Sequence, residues 1–540
     1  MSDSSTWQRW APRVEVGLLV ACGMAWAASR TGWQILDVRQ TSWLNNGDWQ
    51  AYQQGFLMYV RGPWTLQLGA IPGLLYPDGM SVFYTTSGFW PCLAGKLLAL
   101  VLPGEFQLYG CWIFTCYVAQ ALAARFLLAE AGVTGLARVG GAVLALVDPV
   151  VMARNGHVVL MFQAVLVVQL GLAIRAVRRP EDAERTARLS LLVPLFAVGL
   201  EAYLPAQVIP LCVATLLITH LRGGRPWVRL ARDLAVLVAG LVAMLWLVGA
   251  IPAGEVERNA EGFGQFSSDL LALVNSQNLS RWVPSLPASP RQGEGYAYLG
   301  VGVLALVPVA VVAFVREAKK HGAFLKGLAP VLVVTVLLAG YAWSSHVTVL
   351  GREVLNLEWL FAPFSVLTST FRACGRFIWA LHYVVSFGVI VLVARLLQRR
   401  AVVALVAFVV AAVAQGGELI SDRTVYVRPA EPPVDAGWIE LGKTYRHVAL
   451  VPLQLQWICG YDIEAVWQLT RAAALSGMTI NSGHVGRVPK RAREACGQPF
   501  EGPMDAKTVY VVSPPNVGDA GLRGAQCRSI GRYALCLPPH

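Results

Sequence analysis

The sequence predicts a polytopic α-helical membrane protein with a small extracytoplasmic α/β domain at its C-terminal end. Three observations predict it. Hydrophobic residues make up 56% of the 540-residue chain and charged ones only 14%, with a mean hydropathy of +0.53; a soluble domain carries roughly a quarter of its residues charged. The apolar residues come in runs of about 16 to 23, enough to cross a hydrocarbon core of about 30 Å. Lys and Arg gather in short loops between those runs: "RAVRRPEDAERTAR", "RGGRPWVRLARD", "REAKKHGAFLK" and "RLLQRR". Such clustering is what cytoplasmic loops carry under the positive-inside rule. The net charge of +12 therefore reports orientation, and no nucleic-acid partner is expected.

Along the chain, the first apolar segment, Val14 to Ala28, follows "WQRWAPR". Arg30 and Trp33 do not resemble a small-residue cleavage site, so it is read as a retained first span with the N-terminus cytoplasmic. Span candidates are about 14–30, 106–128, 137–153, 157–176, 188–201, 204–221, 231–251, 297–315, 327–346, 376–397 and 401–416. The stretch Phe89 to Leu102 is short and carries Pro91 and Lys96. Counted as a crossing it would place every Arg-rich loop outside, so it is read as a re-entrant or juxtamembrane helix in the first outer loop. Eleven crossings then put the loops 31–105, 252–296 and 347–375 on the outer face, together with the tail. The division is a transmembrane domain, 1–416, and a periplasmic domain, 417–540.

The tail changes character. Its runs "HVALVPL", "TVYVVSP" and "YALCLP" read as strands and "DIEAVWQLTRAAALSG" as a helix. It holds four of the ten cysteines, Cys459, Cys496, Cys527 and Cys536. In an oxidising compartment these are disulfide candidates, with Cys527–Cys536 the favoured pair. The remaining cysteines lie in or near spans and read as packing residues.

Four polar groups fall at the outer ends of spans, where ionisable residues are costly and informative. They are Asp48 with Trp49 and Tyr52; "ARNGH", holding Arg154 and His157; "GEGYAYLG", holding Glu294, Tyr296 and Tyr298; and "STFRACGRF", holding Arg372 and Arg376. Each has an ordinary structural role open to it. Asp48 suits a helix start, Arg154 an interfacial anchor, His157 a helix end, and the two arginines anionic lipid. No G-x-x-x-x-G-K-[ST], H-E-x-x-H or G-x-S-x-G motif is present, and the Cys111–Cys116 pair has no nearby histidine for zinc.

The order "GDWQAYQQG", "GPWTLQLG", "RNGH", "GEGYAYLG", "FRACGRF" resembles a bacterial branch of the GT-C superfamily of integral-membrane glycosyltransferases, across most of the membrane part. The resemblance implies a GT-C-like fold and transfer of a sugar from a polyprenyl-phosphate donor to a cell-envelope hydroxyl at the inner membrane. The acceptor is a glycan or glycolipid. Asp48 would then be the catalytic base and Glu294 a reserve base. Arg372, Arg376, Arg154 and His157 would bind the donor phosphate, and Trp49, Tyr52, Trp282, Tyr296 and Tyr298 would stack on sugar. Many members carry a second acid in the next outer loop, where this chain has Arg154 and His157. No cofactor is assigned, a divalent cation included. An O-antigen polymerase or ligase and a lipid-linked glycan flippase remain open, with Asp48 as the discriminator.

Overall fold

A computed structural model of the chain describes residues 3–45, 47–251, 262–316, 318–421, 423–429, 433–455, 459–460, 462–530 and 533–539. Among these residues, seven helices are long and apolar enough to cross a membrane: Tyr109–Glu130, Gly135–Ala153, Tyr203–Arg222, Trp227–Leu247, Gly322–Trp343, Cys374–Leu396 and Ala401–Glu418. At 1.5 Å per residue their 18 to 23 residues reach about 27–35 Å. Helices also cover the other four expected spans. Ala164–Arg178, Ala183–Val198 and Val301–Arg316 have only 15 or 16 residues, about 22–24 Å. The first helix, Asp3–Thr31, has the length but carries Glu15. That carboxylate is tied to Arg125 at 2.9 Å and to Arg138 at 2.7 Å, which is how a charge is tolerated there. Polytopic architecture is therefore firm, and seven is the number of helices that meet the length and hydropathy requirement.

The chain divides into two compact units. The first comprises Met1–Gly32, Trp112–Leu241 and Asn259–Arg423; the second comprises Trp33–Cys111, Val242–Arg258 and Thr424–His540. Among the described residues nine short strands are formed: β1 (Ala70–Ile71), β2 (Met80–Ser81), β3 (His346–Val349), β4 (Arg352–Asn356), β5 (His447–Val451), β6 (Thr479–Ile480), β7 (Thr508–Val512), β8 (Gln526–Ile530) and β9 (Tyr533–Leu537).

In the first unit the helices pack around aromatic and small residues, and β3 and β4 form an antiparallel hairpin between two spans. The second unit is built around an open five-stranded sheet in the order β6-β5-β7-β9-β8. β5 runs parallel to β6 and β7, and β9 runs antiparallel to β7 and β8. The three strand-like runs and the helix (Ile463–Leu475) appear where the sequence places them. Cys527 and Cys536 face one another across β8 and β9 and are joined, as are Cys459 and Cys496.

The second unit also absorbs the first loop. The Tyr76 N–H donates to the Ile480 carbonyl at 2.9 Å, and the Ile480 N–H donates to the Gly73 carbonyl at 2.8 Å. Residues 73–76 thus cover the free edge of β6, which would otherwise present unpaired backbone groups. The helix Asp48–Arg61 buries every residue from Trp49 to Val60. Beside it, Phe89–Leu98 is only 10 residues long, about 15 Å, too short to span. Its Lys96, buried, donates to the carbonyls of Tyr59 at 2.9 Å and Pro63 at 2.8 Å. Arg471, on the sheet-packed helix, holds Glu105 at 2.6 Å.

Candidate functional site

In the first unit, four chain segments bring charge together. Asp148 caps the short helix Pro149–Ala153, its Oδ1 accepting from the N–H groups of Val150 and Val151. That helix ends at Arg154. Two glycines then allow close approach: a Cβ on Gly375 would lie 2.7 Å from Gly295 Cα, and one on Gly295 would lie 2.6 Å from Ser268 Cα. The turn bearing Glu294 can therefore reach the turn bearing Arg376.

The result is a carboxylate held by two guanidiniums. Arg154 Nη1 and Arg376 Nε each donate to Glu294 Oε2 at 2.9 Å, and Arg154 Nη2 donates to the Gly293 carbonyl at 2.7 Å. Arg376 Nη1 lies 3.6 Å from Glu201 Oε1. Glu201 also accepts from the Tyr203 N–H at 3.0 Å. The Arg376 guanidinium sits 4.5 Å above the Tyr203 ring, and that of Arg154 sits 5.4 Å from the Trp379 ring. Two arginines and two glutamates leave the cluster neutral, which lowers the cost of keeping it out of water.

The environments pull these groups apart. Burial works to raise the Glu294 carboxyl, but the charges of Arg376 and then Arg154 overcome it and hold the group well below the usual carboxylate range. For Glu201 burial wins over Arg376, and its carboxyl is raised. His157 is lowered to about 3 by burial, then by Arg376 and Arg154, against the pull of Glu294. At neutral pH Glu294 is ionised and a weak base, and His157 is neutral.

A second buried constellation lies in the same unit. His382 Nδ1 donates to the Ala297 carbonyl at 2.9 Å, and Nε2 meets Asp148 Oδ2 at 2.9 Å. A carbonyl only accepts, so Nδ1 carries a proton and one further proton is shared between ring and carboxylate. The pair is neutral overall, as an apolar interior demands.

The structure thus brings together Arg154, Arg376, Glu294 and, by its electrostatics, His157. Arg372 is half-buried and has no hydrogen bond or ion pair among the described residues. Asp48 belongs to the second unit, exposed at the first turn of the helix Asp48–Arg61, with Gly47 as the capping residue. There its charge complements the helix dipole. Of the aromatic candidates, Trp49, Tyr52, Tyr296 and Tyr298 are buried, and Trp282 alone is largely exposed. Trp49 packs on Trp43 and Tyr426, and the Tyr298 hydroxyl is spent on Glu418 at 3.1 Å. Among the described residues no group of three or more His, Cys, Asp and Glu is arranged to hold a metal ion. Sequence reasoning passed over Glu201, Asp148, His382 and Glu418. An ionisable residue interrupting an apolar run was the signal available for each.

Fold and site together define a polytopic α-helical membrane protein with an extramembranous C-terminal α/β domain and an ion-paired cluster at the ends of its spans. A family model described as a domain of unknown function (DUF6311) matches residues 20–416, and the DUF6311 C-terminal domain matches residues 437–538; the chain belongs to this family. No curated protein matches it.

Proposed function

We propose that the chain is a GT-C-type glycosyltransferase of the bacterial inner membrane, with its C-terminal domain periplasmic. It moves a sugar from a polyprenyl-phosphate donor to a hydroxyl of a cell-envelope glycan or glycolipid. The observation that carries the reading is the convergence of Arg154 and Arg376 on one carboxylate oxygen. Two guanidiniums aimed at a single oxygen form a ready cradle for phosphate, because their forks match its geometry and stay charged.

The acceptor oxygen attacks the anomeric carbon, and the bond from that carbon to the phosphate oxygen breaks. The electron pair leaves on the phosphate, and the hydroxyl proton goes to a carboxylate. Single displacement inverts the anomeric centre. The resemblance gives the base to Asp48. Arg154 and Arg376 favour the departing phosphate most as its charge grows. A phosphate that takes these guanidiniums also releases Glu294, whose basicity then rises, so donor binding arms the reserve base.

The test is transfer by the purified full chain from labelled polyprenyl-phosphate sugars to extracted envelope glycans. Asp48→Asn, with an unchanged melting temperature, is expected to lose about 10²- to 10⁴-fold in rate, the range of general-base assistance. Full activity in Asp48→Asn moves the base to Glu294 or Glu201. The gathering of Arg and His at the outer ends of spans favours a second reading, an O-antigen polymerase or ligase, which requires Arg154, His157 and Arg372 but not Asp48. A wild-type chain that binds donor and transfers nothing supports a flippase.

A further inference from the structure

The loop between the spans Gly322–Trp343 and Cys374–Leu396 does not look like a solvent loop. Its base is firmly seated. β3 is buried at Val347 and Thr348, and the Thr348 hydroxyl and the Gly351 N–H both donate to Asp269 Oδ2, at 3.0 and 3.2 Å. The Leu357 N–H closes back onto the Ser345 carbonyl at 2.7 Å. What this base holds out is apolar. Val354, Leu355, Trp359, Phe364, Val366 and Leu367 are each more than two-fifths exposed, and Trp359 is 73% exposed.

Charge is sorted along the same loop. Glu358, the one acid inside residues 354–367, and Glu353 just before them are drawn onto one ring: His346 meets Glu353 at 3.0 Å through Nδ1 and Glu358 at 3.1 Å through Nε2. From Trp359 to Phe371 the chain has no charged residue, and Arg372, without an ion pair among the described residues, closes the run. The helical pieces Glu358–Phe361, Ala362–Phe364 and Ser365–Thr370 are far too short to cross a bilayer. A patch of this size open to water would be an aggregation hazard. Both ends of the loop continue into membrane-crossing helices, so the surface next to it is lipid. Aromatic and aliphatic residues followed by an unpaired arginine are the composition of a headgroup boundary.

We propose that residues 354–367 are seated in the phospholipid leaflet adjoining these two spans, as a fixed monotopic element with Arg372 at the level of the lipid phosphates. The inference needs only the polytopic architecture and stands whether or not the chain is a transferase.

The test places nitroxides on the full chain in nanodiscs of phosphatidylethanolamine and phosphatidylglycerol, at Trp359→Cys, Phe364→Cys and, for comparison, Arg352→Cys. The half-buried Cys22 and Cys111 are replaced by serine, and only variants with the parent melting temperature are used. Positions 359 and 364 are expected to be relaxed several-fold more by oxygen than by a water-soluble nickel chelate, with the reverse at 352. Equal nickel access at all three positions overturns the proposal by placing the loop in water. Shielding of 359 and 364 from both reagents also overturns it, because another protein surface, such as a second copy, then covers the patch.

Discussion

Glu294 accepts from two guanidiniums through one oxygen, and its side chain is 21% exposed while those of Arg154 and Arg376 are 5% and 9% exposed. Glu294→Gln leaves two buried cations facing a single remaining carboxylate, Glu201. The expected loss is about 3 kcal/mol, the low end for breaking a buried pair because the carboxylate keeps some solvent; thermal or denaturant unfolding in detergent measures it. Protonation tests the same cluster. His157 titrates near 3 when folded, against an ordinary 6.5. The unfolded chain therefore takes up the proton first as pH falls, and stability drops from about pH 6.5 down towards 3. Glu294, held low, adds in the same direction as pH falls below the ordinary carboxylate range. Glu201, held high, acts oppositely, so its contribution is lost as pH rises through its folded value. His157→Gln is expected to flatten the fall in melting temperature between pH 7 and pH 5; an unchanged slope would mean that His157 is not held neutral.

The elements divide by how much of their surroundings their own residues reveal. Long apolar helices announce themselves, because a span must be apolar along its whole length. The short helix Phe89–Leu98 is also legible, since Lys96 and Pro91 sit where a crossing would forbid them. Asp48–Arg61 is harder to read: "DWQAYQQGFLMYVR" carries Gln50, Gln53 and Gln54, yet all three are buried. Gln53 donates to the Phe106 carbonyl and Gln54 accepts from the His484 N–H, partners that no local pattern supplies. The Arg471–Glu105 pair, with side chains 5% and 11% exposed, makes this packing testable. Arg471→Met alone is expected to cost about 3 kcal/mol by stranding Glu105, and adding Glu105→Gln should recover most of it. Hydrogen exchange along Asp48–Arg61 reads the change; equal effects in the single and double variants would mean that the pair does not couple the helix to its cover.

Across the molecule, hydropathy dictates the class of fold because it is a property of composition within each run. The site is assembled from distant parts: Glu294 lies 140 residues from Arg154 and 82 from Arg376, and Asp148 lies 234 from His382. A one-dimensional pattern places such residues at span ends but cannot say which of them meet. The same remoteness bears on how the protein is made. The edge of β6 is covered by residues 73–76, and Glu105 waits for Arg471, 366 positions later. At about 5–20 residues per second the ribosome needs roughly 20–70 s to supply that partner. All the intervening spans must be inserted meanwhile. The first loop is thus made early, and its glutamine-bearing helix is left uncovered until the C-terminal domain has been synthesised. Assembly of the first loop therefore waits on synthesis of the C-terminal domain, and any stop codon ahead of that domain leaves the first loop without its cover.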